Sequence, residues 1–178
     1  MTDGQVLLDA LTLEDAEAHW AGEGDEQARR FGWYPHRSTL ERVGAHIVAG
    51  EAEWREGGSR HTGAIRDLGT RTLLGGCEVR LRDEATAHMS WWVFPSHRRR
   101  GIASRAVRLV TTSVFQALPV CEVEAFIEAD NMASSAWHAT PDSSVPSWSR
   151  LGTGRWCDTS SSPLPRPGAT CLPEHGLS

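Results

Sequence analysis

Apolar positions along this chain recur with two different periods, and each change of period marks a change of element. Val6-Leu7-Leu8 predicts a short first strand, and Thr12-Leu13-Glu14-Asp15 opens a helix that carries Ala16, Ala18, Trp20 and Ala21 towards Gly22. Thr12 is its N-cap, and two carboxylates sit in the positive first turn. Residues 24–30 are polar, and Phe31-Gly32-Trp33-Tyr34-Pro35 is an aromatic loop. Ser38-Thr39 caps a second helix reaching about Trp54, with Leu40, Val43, Ile47 and Val48 at helical spacing.

After the turn at Gly57-Gly58 the period drops to two. The stretches from His61 to Arg66, Thr72 to Leu81 and Ala85 to Phe94 predict three strands, joined by turns at Asp67-Leu68-Gly69-Thr70 and near Asp83-Glu84. Gly75-Gly76 predicts a bulge, a close backbone approach or simple packing. Val107, Val110, Val114 and Leu118 then form the buried stripe of a long helix stopped by Pro119, and Cys121 to Ile127 alternates like a strand. That last strand should lie parallel to the Ala85–Phe94 strand through a right-handed crossover, the two splaying at their ends.

Beyond Ala136 the pattern stops. Residues 136–178 hold six of the nine prolines and many serines, so this tail reads as coil or disorder, unable to offset its chain entropy by burial. The chain thus divides into a domain over 1–135 and a Pro/Ser-rich tail over 136–178.

Composition narrows the class. The 178 residues, with 39% hydrophobic and 23% charged, describe an ordinary globular domain. A net charge of −5 argues against a general nucleic-acid binder, and no apolar run approaches a membrane span. Four scattered cysteines with no paired spacing predict reduced thiols and a cytoplasmic protein, and the eight histidines show no metal-binding spacing. No metal is expected.

The candidate chemistry gathers where a strand meets a helix. Trp91-Trp92-Val93-Phe94-Pro95-Ser96-His97-Arg98-Arg99-Arg100-Gly101-Ile102-Ala103-Ser104 runs from an apolar strand through a Pro-marked turn into a helix start. Unpaired N–H groups and the dipole at such a start suit a phosphate; Gly101 and Ala103 permit close approach, and the arginines add charge. A basic cluster before a helix is equally compatible with a solvated surface or a local nucleic-acid contact. Further on, Glu128-Ala129-Asp130-Asn131-Met132-Ala133-Ser134 follows a strand.

Arg98-x-x-Gly101-x-Ala103 after a strand, followed by Asp130-Asn131-x-x-Ser134, resembles the motif pair of the GCN5-related N-acetyltransferase (GNAT) family. The likeness is greatest to the branch acetylating ribosomal-protein amino termini (RimJ and RimL) and some antibiotics, and it covers about residues 5–135. It implies an α/β fold with a mixed, mostly antiparallel sheet and helices on both faces, its C-terminal strands here missing or disrupted. It implies acetyl-CoA as co-substrate, an amine acceptor that is a small molecule or a protein N-terminus, and no nucleic acid or membrane partner.

On this resemblance, Arg98, Arg99, Arg100, Gly101, Ile102, Ala103 and Ser104 cradle the pyrophosphate. Backbone groups of Trp91, Trp92 and Val93, together with Asn131, hold the pantetheine arm, and Ser134 protonates the departing thiolate. Arg99 stands where the family commonly has Gly, which predicts a stiffer loop. Phe31, Trp33, Tyr34 and His36 are candidates to select the acceptor, or an aromatic staple. Glu78, His88 and Glu124 are candidate bases, or solvated strand residues.

The family pattern after Asn-x-x-Ser continues to Val-Ala and then Gly-Phe, which this tail lacks. Trp137 has a single codon, TGG, and His138 begins CA, so reading one base earlier gives Val, Leu or Met and then an obligatory Ala. The codons of Ala139 to Ser143 then permit Arg-Asn-Ala-Gly-Phe, in register with Asn131 and Ser134. The tail therefore reads either as native coil or as a shifted frame, and the chain as an active enzyme or an inactive CoA-binding protein.

Overall fold

The computed structural model describes residues 1–22, 39–125, 148–151 and 155–158. Five strands follow the alternating stretches: β1 (Val6–Ala10), β2 (Arg60–Asp67), β3 (Leu73–Leu81), β4 (Thr86–Val93) and β5 (Glu122–Glu124). Helices are α1 (Ala16–Gly22), α2 (Leu40–Arg55) and α3 (Ile102–Ala117). The sheet order is β1-β2-β3-β4-β5-β7-β6, in which β6 is Trp148–Leu151 and β7 is Arg155–Asp158. All neighbours are antiparallel except β4 and β5, which the α3 crossover makes parallel. The expected mixed sheet with helices on both faces is present.

Two expectations are corrected here. The tail supplies two four-residue strands, with Val123 of β5 opposite Trp156 and Arg150 opposite Trp156 on its other side, so it is not all coil. Backbone pairing at a sheet edge satisfies N–H and C=O groups whatever the side-chain pattern, which is why periodicity missed it. Cys121 is disulfide-bonded, while Cys77 is free and buried. Spacing along the chain does not report distance across a sheet.

Alternation divides the sheet between two cores. Ile65, Cys77, Val79, Ala87, Met89 and Val123 face α3, meeting Ile102, Ala106, Val107, Val110 and Val114. On the other face Ala64 and Leu73 meet Ala16, Val43 and Ile47 from α1 and α2. Trp20 is 45% exposed, and the buried positions of α1 are Ala16 and His19. Leu40 and Val48 of α2 are likewise exposed, since Gly44 and Gly50 complete its buried face. Thr39 caps α2, accepting from the Arg42 N–H at 3.3 Å.

A buried ion network fixes where α1 begins. The Arg66 guanidinium donates at 2.7 Å to each carboxylate oxygen of Asp15 and at 2.8 Å to Asp9. Burial pushes the Asp15 carboxyl up, but Arg66 and the Thr12 N–H overcome this and hold it below its ordinary value. β1, β2 and the turn before α1 are thereby tied together on the side of the sheet that carries His19.

Candidate active site

β4 is the strand on which the site is built. Its rungs with β5 pair Thr86 with Glu122, Ala87 with Val123 and His88 with Glu124. β5 ends at Glu124 while β4 continues to Val93. From Met89 onward, the edge of β4 facing β5 therefore has no strand partner among the described residues. Trp91, Trp92 and Val93 lie along this stretch, and the expected parting of the two parallel strands involves residues beyond 125, outside the described residues.

Strand and helix meet through a short turn. Pro95–His97 form a single 3₁₀ turn, and α3 starts at Ile102 with Gly101 as its N-cap at φ 72° and ψ 7°. No side chain caps this helix, so its first N–H groups are available to a ligand. A Cβ on Gly101 would meet nothing within 4 Å, so the space around it is open. An uncapped helix start of this kind suits a pyrophosphate, because its free N–H groups and dipole favour an anion, and Arg99 and Arg100 are exposed beside it.

The individual residues divide by role. Arg99 adopts φ 60°, the left-handed region that costs a non-glycine residue, which gives the physical reason for Gly at the equivalent family position. Arg98 is partly buried, and its Nε donates to the Val93 carbonyl at 2.9 Å, bracing the end of β4 against the turn. Ile102 is in the core, so only its backbone can face a ligand. Ala103 and Ser104 are half-buried in the first turn. Asn131, Ser134, Phe31, Trp33, Tyr34 and His36 lie outside the described residues.

Trp92 is held from two sides. Gly76 on β3 is its register partner, and a Cβ there would overlap the Trp92 indole; a Cβ on Gly75 would strike the Trp92 carbonyl. The paired glycines are thus a close approach to β4. From above, the His19 ring stands edge-on to Trp92 at 5.4 Å and to Phe94 at 6.5 Å. Burial, with His46 nearby, lowers the His19 pKa to about 4, so it is neutral at physiological pH. Nothing in the sequence reading singled out His19. Its spacing of three from Ala16 was the available signal.

The same face carries the three candidate bases. Glu78 and Glu124 are buried, and His88 is half-buried between their strands. Arg80 of β3 is the register partner of His88 and its Nε donates to Glu78. Carboxylates on strands are commonly solvated, but these two are not.

The acetyltransferase (GNAT) domain model matches residues 5–139. An uncharacterized N-acetyltransferase of Bacillus subtilis (strain 168), YoaA, is 26% identical over 133 residues, covering 74% of this chain and 75% of its own. Mycobacterium smegmatis RimJ, solved in complex with CoA-disulfide, superposes with TM-score 0.63 at 22% identity, over 75% of this chain and 68% of its own. RimL, a ribosomal α-N-protein acetyltransferase solved with coenzyme A, gives 0.63 at 14% identity, over 76% and 77%. At these identities the two solved structures establish likeness of fold.

Proposed function

The chain belongs to the GNAT acetyltransferase family, and we propose from that premise that it transfers the acetyl group of acetyl-CoA to a primary amine, either a protein N-terminal α-amine or that of a small molecule. The carrying observation is the junction of β4 and α3, where the strand runs through one 3₁₀ turn into an uncapped helix N-terminus with a left-handed glycine. Gly101 to Ser104 hold the pyrophosphate through backbone N–H groups, with Arg99 and Arg100 as counter-charges. Arg98 keeps Val93 in place, and Trp91 and Val93 turn their backbone groups away from β3 towards the pantetheine amides, while Trp92 pairs with Gly76 of β3. The co-substrate supplies an activated acetyl thioester.

An α-amine, with pKa about 8, reaches its neutral nucleophilic form far more readily than a lysine at about 10.4. Positioning two bound substrates then accounts for much of the rate, and the fixed residues serve binding more than bond-making. Asn131 holds the pantetheine arm and Ser134 supplies a proton to the departing sulfur. That RimL is an α-N-protein acetyltransferase supports this acceptor class.

The test pairs binding with turnover. Acetyl-CoA should raise the melting temperature, and an acceptor panel spanning peptide α-amines and polyamines should release free thiol with at least one member. Absence of both stabilisation and thiol release contradicts the proposal. Ser134→Ala should lower kcat with little change in acetyl-CoA affinity, as for an interaction made in the transition state.

A second reading, a chain that binds CoA without turnover, draws on residues 136–178. The family match ends at residue 139, next to Trp137 and His138, where reading one base earlier permits the family's Val-Ala and Gly-Phe. Stabilisation by acetyl-CoA without thiol release on any acceptor selects this reading.

A further inference from the structure

We propose that Asp3 is a positioning residue for the co-substrate: by binding Arg105 it anchors the first turn of α3, whose N–H groups hold the pyrophosphate. The inference rests on the reading of the chain as an acetyl-CoA-dependent enzyme. It starts from a requirement of any phosphate site at a helix start. N–H groups left without a capping side chain stay open to a ligand, but the turn that carries them loses the bond that would stop it fraying. A contact from outside the helix must then hold that turn.

Here the holding group comes from the residues before β1. The Asp3 Oδ1 accepts from the Gln5 N–H at 3.0 Å and the Val6 N–H at 2.8 Å, while its Oδ2 accepts from the Arg105 guanidinium at 2.8 Å. One oxygen fixes the carboxylate in its own turn and the other grips the helix. The Asp3 side chain is 24% exposed and that of Arg105 36%, so the pair is partly covered. Burial pushes the Asp3 carboxyl up, but the Val6 N–H, Arg105 and the Gln5 N–H outweigh it and hold it below its ordinary value. It is a carboxylate at pH 7.

The grip falls where fraying would begin. With Gly101 as N-cap, the Arg105 N–H makes the first hydrogen bond of α3, to the Gly101 carbonyl at 3.1 Å. Ile102, Ala103 and Ser104 lie between, so the N–H groups that lack an intrahelical partner are bracketed by the N-cap and the ion pair. Beneath them Val6 shares one apolar core with Ile102 and Ala106. Packing holds the inner side of the turn and the ion pair holds its rim, with Val6 adjoining both.

Charge gives the pair a second reason. A cation in the first turn opposes the helix dipole, and Arg105 is such a cation. Asp3 offsets it. Had Arg105 instead been a phosphate ligand, Asp3 would compete with the phosphate for it, and removing the carboxylate would tighten binding rather than weaken it.

The experiment measures acetyl-CoA binding to the full chain by calorimetry, at a temperature where circular dichroism shows each variant folded. Asp3→Asn keeps the Oδ1 acceptor of the turn and removes the charge. Asp3→Asn and Arg105→Gln should each weaken binding about 3- to 10-fold, the scale of one partly covered ion pair, while Arg105→Lys, whose ammonium can still reach Asp3, stays within about twofold of wild type. Amide hydrogen exchange in Asp3→Asn, followed by NMR, should quicken at Arg105 and Ala106 relative to the middle of α3. A pair that serves stability alone would lower the melting temperature of Asp3→Asn and leave the affinity of the folded protein unchanged, and that result overturns the proposal. Tighter binding by Asp3→Asn overturns it as well. Wild type that does not bind acetyl-CoA overturns the acetyltransferase reading and this role with it, whereas wild-type binding with equal affinity in Asp3→Asn overturns the role of Asp3 alone.

Discussion

Arg99 and Gly101 both occupy left-handed backbone within three residues, and only one of them is glycine. The strain at Arg99 is on the order of 1–2 kcal/mol, partly offset by the greater unfolded-state freedom that glycine would bring. Arg99→Gly should therefore leave stability unchanged or slightly raised, whereas Gly101→Ala should lower it by about 1 kcal/mol with no clash, since its Cβ meets open space. Urea unfolding of both variants checks the pair, and a larger loss for Arg99→Gly contradicts the assignment. The departure of Arg99 from the family pattern was legible in the sequence. Its cost was not, because the sign of φ is set by how β4 and α3 must be joined.

At the scale of elements, His19 links α1 to β4 and makes that contact pH-dependent. Its folded pKa of about 4 lies below the ordinary 6.5, so the unfolded chain binds the extra proton. The His19 contribution is fully present above pH 6.5 and falls away as pH drops towards 4, by up to about 3 kcal/mol. His19→Leu should flatten stability against pH across that window, a result read by urea titration at pH 4.5 and 7. An unchanged slope contradicts the assignment. Gly76→Ala tests the other side of Trp92: the indole must move, so acetyl-CoA binding along β4 should weaken together with stability. Near-UV circular dichroism should report the displaced tryptophan. Strand identities were legible from alternation, as were α2 and α3 from their stripes. The Trp92–Gly76 contact was not, because it depends on the β3–β4 register. β6 and β7 were invisible to periodicity altogether.

At the scale of the molecule, the domain matched by the family joins β4 of the continuous sheet to the uncapped start of α3 at Gly101. The edge beyond β5 comes from the tail, in four-residue strands. If the tail is a shifted frame, restoring that frame from Trp137 onward should raise both the melting temperature and the affinity for acetyl-CoA. A restored frame that meets an early stop codon, or brings no gain, identifies the tail as native. The central claim is tested most directly by a crystal structure of the chain with acetyl-CoA bound. The account predicts the pyrophosphate on the N–H groups of Gly101 to Ser104 and the pantetheine arm along β4 from Val93; density for the pyrophosphate anywhere else on the molecule would contradict it.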